Sequence, residues 1–468
     1  MVTHYSKIRD DIQSLFLTDT TDEDIRPIHG LSDGNLPEWL TPEQRGWLDE
    51  TGFDQKSAGH ALLPGRTGIE AVLAGSDGEE SSPLLAGSLC AALPKGTYCF
   101  ADKPDNTELT ALAWALGHYA FRRYKPDEDK KLRRLLLPEG VDAASVINRA
   151  AAVWLGRDLI NTPSNDLGPA ELEDAVRDVA ACFDAECSAI TGDDLLDENL
   201  PLIHAVGRAS PRAPRLIDLR WGNAAAPKIT IVGKGICFDT GGLNLKPGAA
   251  MALMKKDMGG SAAALALAAM IMGANLPVRL RLLIAAAENS VSGNSFRPGD
   301  ILESRAGLHI EIGDTDAEGR LVLADALAIA DEESPDHIFS LATLTGSARV
   351  ALGPDLPPVY STGPGVADSI VKAGAEIGDP AWPMPLWAPY DKMIKSKLGD
   401  IKNIAASPFA GSIIAALFLN RFVKSAKHYT HLDIYGWVPK TLPGKPAGGE
   451  PQCARAIFEY LKGAYSKQ

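Results

Sequence analysis

The residues able to do chemistry fall in two stretches. Residues 229–257 read ITIVGKGICFDTGGLNLKPGAAMALMKKD, and residues 314–320 read DTDAEGR. They supply Lys234 and Lys246, the carboxylates Asp239, Asp257, Asp316 and Glu318, and Arg320, each beside glycines or just after an apolar run. Glycines next to acids let the backbone approach a compact site. Four carboxylates gathered together repel one another, and all stay ionised only where cations neutralise them. Oxygen-rich ligation suits Mg²⁺ or Mn²⁺, and Zn²⁺ also accepts carboxylates. A lysine ligates only when deprotonated, which a neighbouring dication favours. The second lysine can stay charged and polarise a carbonyl. Two ions about 3.5–4 Å apart would clamp a water, bring its pKa towards about 7 and stabilise a tetrahedral oxyanion. This is the chemistry of a two-metal hydrolase.

Taken singly, each of these charges reads as a solvated loop residue, and Arg320 as a helix-start ion pair. DxD or GKG alone is a weak motif. The combination of spacings across both stretches carries the reading, and it does not separate a peptidase from a phosphatase. Other signatures are absent: there is no HExxH, no GxSxG and no GxxxxGK[ST], and Gly233-x-Gly235 lacks the third glycine of a dinucleotide loop. Cys237 has no evident histidine partner and reads as a packing residue. His29, His60 and His118 stand alone and read as structural.

Strands and helices must alternate to position these residues. Residues 215–221, 228–232, 279–287 and 337–344 read as strands, and 261–272 and 321–331 as helices. Such alternation implies a largely parallel sheet covered on both faces. Ligands in such sheets bind beyond the carboxyl ends of the strands. Lys234, Glu288 and Thr345 fall just past predicted strand ends, so they are expected to converge on one edge. Asp316, Glu318 and Arg320 at i, i+2 and i+4 share one side only in an extended turn. An extended turn is therefore predicted before a helix beginning near Leu321. Upstream, 142–161 reads as one helix stopped by NTPSNDLGP, and 169–183 as a helix with acids in its first turn. The charged segment 125–134 reads as a solvated boundary. Short strands and helices, such as the stretch 108–123, fill the earlier part. The expected fold is α/β. It has a small N-terminal α/β domain (1–140), a connecting helix (141–162) and a larger catalytic α/β domain (163–468) with a mostly parallel central sheet flanked by helices.

At 468 residues the chain exceeds one ordinary core, which fits two domains. A hydrophobic share of 45% with 23% charged residues is that of a soluble globular protein. A net charge of -14 disfavours a protein built to hold nucleic acid or an anionic membrane. Six cysteines without a CxxC pair suit a reducing compartment. The polar N-terminal stretch lacks the apolar core of a signal peptide. No apolar run reaches a membrane span. A cytoplasmic enzyme is expected.

Longer motifs extend the reading. VGKGICFDTGGLNLKP, MKKDMGG and DTDAEGRLVLADAL closely resemble the signature segments of the cytosolic leucyl aminopeptidase family. The likeness continues through AAENSVSGNSFRPGD, LATLTG, LGDIKNIAASPFAGSIIAALFLNRFV and HLDIYGW, from about residue 161 onward. The resemblance implies a two-metal exopeptidase acting on short peptides with a free N-terminus. It implies two divalent ions per subunit, Zn²⁺ or Mn²⁺ with Mg²⁺ possible. Asp239 and Glu318 would touch both ions, Lys234 and Asp257 would hold one, and Asp316 the other. Lys246 would polarise the scissile carbonyl. Arg320 would hold a bicarbonate that shuttles the proton from a bridging water to the leaving amine. Met254, Thr343, Gly346 and Tyr435 would form the side-chain pocket, and the Leu344 carbonyl would accept from the substrate. A homohexamer is implied as well. Two departures stand out: Asp314 replaces the usual Asn before TDAEGR, adding a negative charge near the ions. Tyr435 replaces a small residue in the pocket, either narrowing it or turning outward. The alternatives are a two-metal phosphoryl hydrolase, disfavoured because few basic groups are free to clamp a phosphate, and an added DNA-binding role, disfavoured by the charge.

Overall fold

A computed structural model describes residues 4–19, 24–31, 35–55, 59–75, 82–125 and 132–466. Most of the charged boundary segment, 126–131, lies outside the described residues. Contacts divide the chain into two compact units. One comprises Lys7–Ala151 with Lys440–Ala447, and the other Met1–Ser6, Ala152–Pro439 and Gly448–Gln468. The division falls inside the helix Ala143–Asn161. Lys440–Ala447 groups with the first unit through a tight crossing, since a Cβ on Gly87 would stand 2.6 Å from Gly444 Cα.

The first unit is built on a six-stranded sheet. By neighbour it runs Phe16–Leu17, Arg133–Leu136, Gly96–Phe100, Ile25–Leu31, Ile69–Gly75 and His60–Pro64. Only the last pair is antiparallel. The helix Thr107–His118, capped by the Asn106 side chain on Leu109 N, buries Leu109 and every residue from Ala111 to Leu116. Within this unit His29 packs on Trp39, ring centroids 4.6 Å apart, and His118 Nδ1 lies 3.8 Å from Cys90 Sγ. These are structural contacts, the role the sequence suggests for both histidines.

The second unit carries an eight-stranded sheet of β1 (Glu186–Thr191), β2 (Arg215–Gly222), β3 (Lys228–Asp239), β4 (Arg279–Asn289), β5 (His337–Ala342), β6 (Pro358–Ser361), β7 (Trp382–Pro383) and β8 (His428–Asp433). Their spatial order is β7-β6-β8-β5-β3-β4-β2-β1. The centre, β8-β5-β3-β4, is parallel, and antiparallel pairs lie towards the edges. Every residue of β3 except Lys228 and Phe238 is buried, so both faces of this strand are covered. The helices α1 (Pro169–Cys182), α2 (Pro201–Gly207), α3 (Gly259–Gly273), α4 (Gly319–Asp331) and α5 (Gly346–Leu352) flank it. Helix α3 is buried from Gly259 to Met272, and its backbone touches the sheet. A Cβ on Gly260 would stand 2.2 Å from Leu341 O. Among the described residues no helix is long and apolar enough to cross a membrane.

Two local expectations are corrected. Strand β3 does not stop at residue 232 but runs to Asp239. It does so because β4 stays paired with it through Asn289, with one register shift at Ala287/Glu288. Lys234 therefore sits in a strand interior rather than past its end. Glu288 also lies within β4, and its carboxylate accepts from Ser210 Oγ at 2.6 Å and Arg212 Nη1 at 3.4 Å. It takes no part in the lysine–carboxylate cluster.

Helix α4 is tied to its neighbours by a buried acid. Asp325 Oδ2 accepts from Leu202 N at 2.7 Å at the start of α2, and Oδ1 from Arg305 N at 2.9 Å. Asp325→Ala would strand these buried amides, and the expected loss is about 3 kcal/mol of stability. Urea denaturation measures it, and a loss under about 0.5 kcal/mol would contradict the structural role given to Asp325.

Candidate metal centre

Strand β3 ends at Asp239, and the chain then turns through Gly241 and Gly242 at φ +87 and +62, a region glycine enters without strain. The turn folds back on its own acid, Gly241 N donating to Asp239 Oδ1 at 2.8 Å. Asn289, at the end of β4, donates to the same oxygen at 2.9 Å and to Thr315 O at 3.0 Å. It thereby joins the end of β3 to the 314–320 turn. Asp314 Oδ1 accepts from Asp316 N at 2.9 Å, a turn contact that the oxygen of an Asn makes equally well.

The expected extended turn is corrected here. Glu318 is already helical, at φ -76 and ψ -34, and α4 begins at Gly319 because Leu321 N and Val322 N both donate to Glu318 O. Arg320 therefore lies in the first turn of α4. It is buried, with Nη1 donating to Asn403 O and its guanidinium 5.9 Å from the centre of the Phe418 ring. Its Nε has no hydrogen-bond partner.

The fold brings both lysines and all four carboxylates together. Lys234 Nζ lies 2.7 Å from Asp257 Oδ2 and 3.0 Å from Glu318 Oε1, and donates to Thr343 O at 2.9 Å. Lys246 Nζ lies 2.9 Å from Asp239 Oδ2 and contacts Asp316 Oδ1. Asp239, Asp316 and Glu318 each offer an oxygen within 4.8 Å of the others, a group able to hold a cation. Asp257 stands outside that trio and is linked to it through Lys234, while Thr343 Oγ1 donates to its Oδ1 at 2.8 Å.

The electrostatics fit divalent ions. Four carboxylates face two ammonium groups, so negative charge is in excess. The ion pairs are close but poorly aligned: Asp257 Oδ2, Asp316 Oδ1 and both Glu318 oxygens are buried without a properly angled hydrogen bond. Burial and then Asp239 push Glu318 well above the usual carboxylate range, with Lys234 opposing. Burial and then Asp239 likewise push Asp316 up to about 6, against the pull of Lys246. Burial lowers Lys234, but Asp257, Glu318 and Asp239 outweigh it and leave the amine above its ordinary value. Acids this disfavoured as anions are those that a dication would restore.

Lys234, Asp239, Lys246, Asp257 and Asp316 line a cleft of 400 Å³. Met254, Thr343, Leu344, Gly346 and Tyr435, all named from the sequence, line it too. Tyr435 thus faces the cleft rather than packing outward. Glu318 and Arg320 are buried and do not line it. A larger hollow of 540 Å³ around Arg208 and Arg297 shares no residue with the cleft. It holds no carboxylate cluster, so the chemistry belongs to the smaller one.

Sequence reasoning missed the amides and acids that hold the site. Asn289 fixes Asp239. Asn403 Oδ1 accepts from Gly313 N at 2.8 Å, and its Nδ2 donates to Asp314 O at 2.6 Å. Asp433 accepts from Leu344 N and Thr345 N, each at 3.0 Å, and so orients the Leu344 peptide. Their positions at strand ends were the available signal. Lys256 was also passed over, although it precedes Asp257 in MKKD; it is buried and lines the cleft.

Comparison with known proteins gives concordant matches. The model for the cytosol aminopeptidase family, catalytic domain, matches residues 154–457, and that for the M17 aminopeptidase N-terminal domain matches 26–138. A probable cytosol aminopeptidase of Roseiflexus castenholzii is 41% identical over 358 residues, covering 73% of this chain and 72% of the relative. The crystal structure of cytosol aminopeptidase from Coxiella burnetii superposes with a TM-score of 0.91 at 43% identity, covering 96% of this chain and 99% of that one. The bottromycin maturation enzyme BotP in complex with Mn gives 0.84 at 28% identity, covering 95% of this chain and all (100%) of that one.

Gly319 tests the arrangement. A Cβ there would stand 2.5 Å from Lys234 Cε and 2.6 Å from its Nζ, inside a cage that leaves the lysine little room to move. Gly319→Ala is expected to displace Lys234 and weaken Mn²⁺ uptake by about tenfold or more while far-UV circular dichroism is retained. Unchanged uptake by calorimetry would mean that Lys234 is not a fixed part of the site.

Proposed function

The chain belongs to the cytosol aminopeptidase family of metal-dependent exopeptidase hydrolases, and on that premise we propose that it removes the N-terminal residue from short peptides with two divalent ions. The observation that carries this reading is the buried, net-negative lysine–carboxylate cluster opening on one cleft. Lys234 and Asp257 would hold one ion and Asp316 the other, with Asp239 and Glu318 shared between them. The ions would be Zn²⁺ or Mn²⁺, with Mg²⁺ an option, as oxygen-rich donors with one amine allow. When bound, they would supply the Lewis acidity that activates water, and a bicarbonate held by Arg320 would supply the general base.

The chain's own groups do the rest. Lys246 reaches the cleft and keeps its proton, because Asp239 and the Asp316 side chain more than offset the effect of burial. Its ammonium would donate to the scissile carbonyl oxygen and stabilise the negative charge that develops there. The Leu344 carbonyl would accept from the substrate backbone, and Asp433 holds that peptide in one orientation. Arg320 Nε, buried without a partner, is a donor that an anion such as bicarbonate would satisfy. Met254, Thr343, Gly346 and Tyr435 would receive the side chain of the first residue.

We place the enzyme in the cytoplasm, in keeping with six cysteines that include no CxxC pair and with relatives named for the cytosol. The working form would be a homohexamer, as the family resemblance suggests, with no membrane or nucleic-acid partner. Sedimentation velocity at a six-subunit mass would support that assembly.

Chelated enzyme is expected to release no p-nitroaniline from aminoacyl p-nitroanilides, to recover on adding Mn²⁺ or Zn²⁺, and to leave N-acetylated substrates intact. Glu318→Ala should fall to background in the same assay while far-UV circular dichroism shows that its fold is retained. Near-normal turnover by Glu318→Ala would remove the assignment. Cleavage of N-acetylated substrates would remove the free-amine requirement.

A further inference from the structure

The cleft also holds positive charge that the chemistry above does not use. Lys256 is only 5% exposed, yet it lines the cleft. Its Nζ stands 4.5 Å from the centre of the Tyr435 ring. The two carboxylates that act on it electrostatically, Asp257 and Asp433, are engaged elsewhere. Asp257 pairs with Lys234 and Thr343, and Asp433 accepts from Leu344, Thr345 and Ser412. Among the described residues no carboxylate comes within ion-pairing distance of Lys256. A buried ammonium with only an aromatic face for company is poorly compensated, and an anion beside it would complete its environment.

A second cation shares the same ring. The Arg349 guanidinium carbon lies 5.1 Å from the centre of Tyr435, and its Nη1 donates to the Tyr435 hydroxyl at 3.3 Å. Arg349 lines the cleft at an exposed position, so its remaining donors are open to a ligand. The tyrosine is itself fixed, since its backbone N and that of Gly436 both donate to Gln452 Oε1, at 3.0 and 2.9 Å. This wall occupies the place where an apolar side-chain pocket would have to lie. Met254 belongs to the same 3₁₀ turn as Lys256, and Gly346 begins the helix that carries Arg349.

We propose that Lys256 and Arg349, gathered on the Tyr435 ring, form a carboxylate-binding subsite in the side-chain pocket that selects peptides beginning with glutamate or aspartate. The proposal rests on the aminopeptidase reading and deepens it. The ring takes up volume that a leucine side chain would need, while the two cations reward a carboxylate at its tip. The metal-binding cluster is then left to the α-amine end of the first residue, while Lys256 and Arg349 face its side chain with positive charge.

The test compares kcat/KM of the Mn²⁺-loaded full-length enzyme for p-nitroanilides of Glu, Asp, Leu and Ala at one pH and ionic strength. Wild type is expected to favour Glu or Asp over Leu by about tenfold or more. Lys256→Met should lower the Glu/Leu ratio by about tenfold, and Arg349→Gln, at an exposed position, by a smaller factor. The ratio is taken within each protein, so a partly folded variant does not distort it. A wild-type preference for Leu, or a Glu/Leu ratio untouched in both variants, would overturn the subsite. A parallel arm compares Leu-Gly with its C-terminal amide. If Lys256→Met instead removes a preference for the free C-terminal carboxylate, the assignment to the side chain is overturned. Failure to cleave any substrate with Mn²⁺ bound would overturn the aminopeptidase reading, and the subsite with it.

Discussion

The second unit is governed by an electrostatic constraint: four carboxylates and two lysines crowd one largely buried cluster in which like charges must be held apart by opposite ones. Lys234 lies in the interior of the central strand, 3% exposed, where a charge survives only with opposite charge in contact. Asp257 and Glu318 meet that requirement from two other segments. The central strand, the turn before α3 and the start of α4 are thereby locked to one another by charge as well as by apolar packing. The cluster remains net negative with oxygens unsatisfied, which makes it an incomplete solution without cations.

Backbone proximity makes this possible. Gly241 and Gly242 let the chain reverse directly after Asp239, and Gly319 leaves room for the Lys234 amine. Gly260 lets α3 rest on the backbone of β5, so the 3₁₀ turn bearing Asp257 is delivered to the end of the sheet. Around these contacts a layer of amides and acids does the aiming. Asn289, Asn403 and Asp433 each tie a turn of the site to a neighbouring segment. Each is less than 3% exposed, so losing one would leave buried polar groups without partners.

The cleft is polarised as a result. Its acidic side comes from the ends of β3 and the 314–320 turn, while its cationic side comes from Lys256 and Arg349 on Tyr435.

The sequence by itself determined the α/β class, the parallel core and the identity of the chemical groups. Continuous apolar runs at Ile229 and Leu280 and glycine-flanked acids are local signals, and a long set of motifs fixes the family. It did not determine where strand β3 ends, because that depends on how far β4 stays paired with it, a non-local hydrogen-bond ladder. It placed Glu288 in the site when a salt bridge with Arg212 holds it elsewhere. It read residues 316–320 as one extended turn when helix α4 begins at Gly319 and takes in Arg320, since the start of a helix is decided by which carbonyls its first amides reach. The supporting residues Asn289, Asn403 and Asp433, and the cation Lys256, carry no spacing that distinguishes them from ordinary surface or turn residues. Tertiary structure alone brought them to the cleft, because their roles consist of contacts between segments far apart in the chain, as between Gly313 and Asn403 or Lys256 and Tyr435.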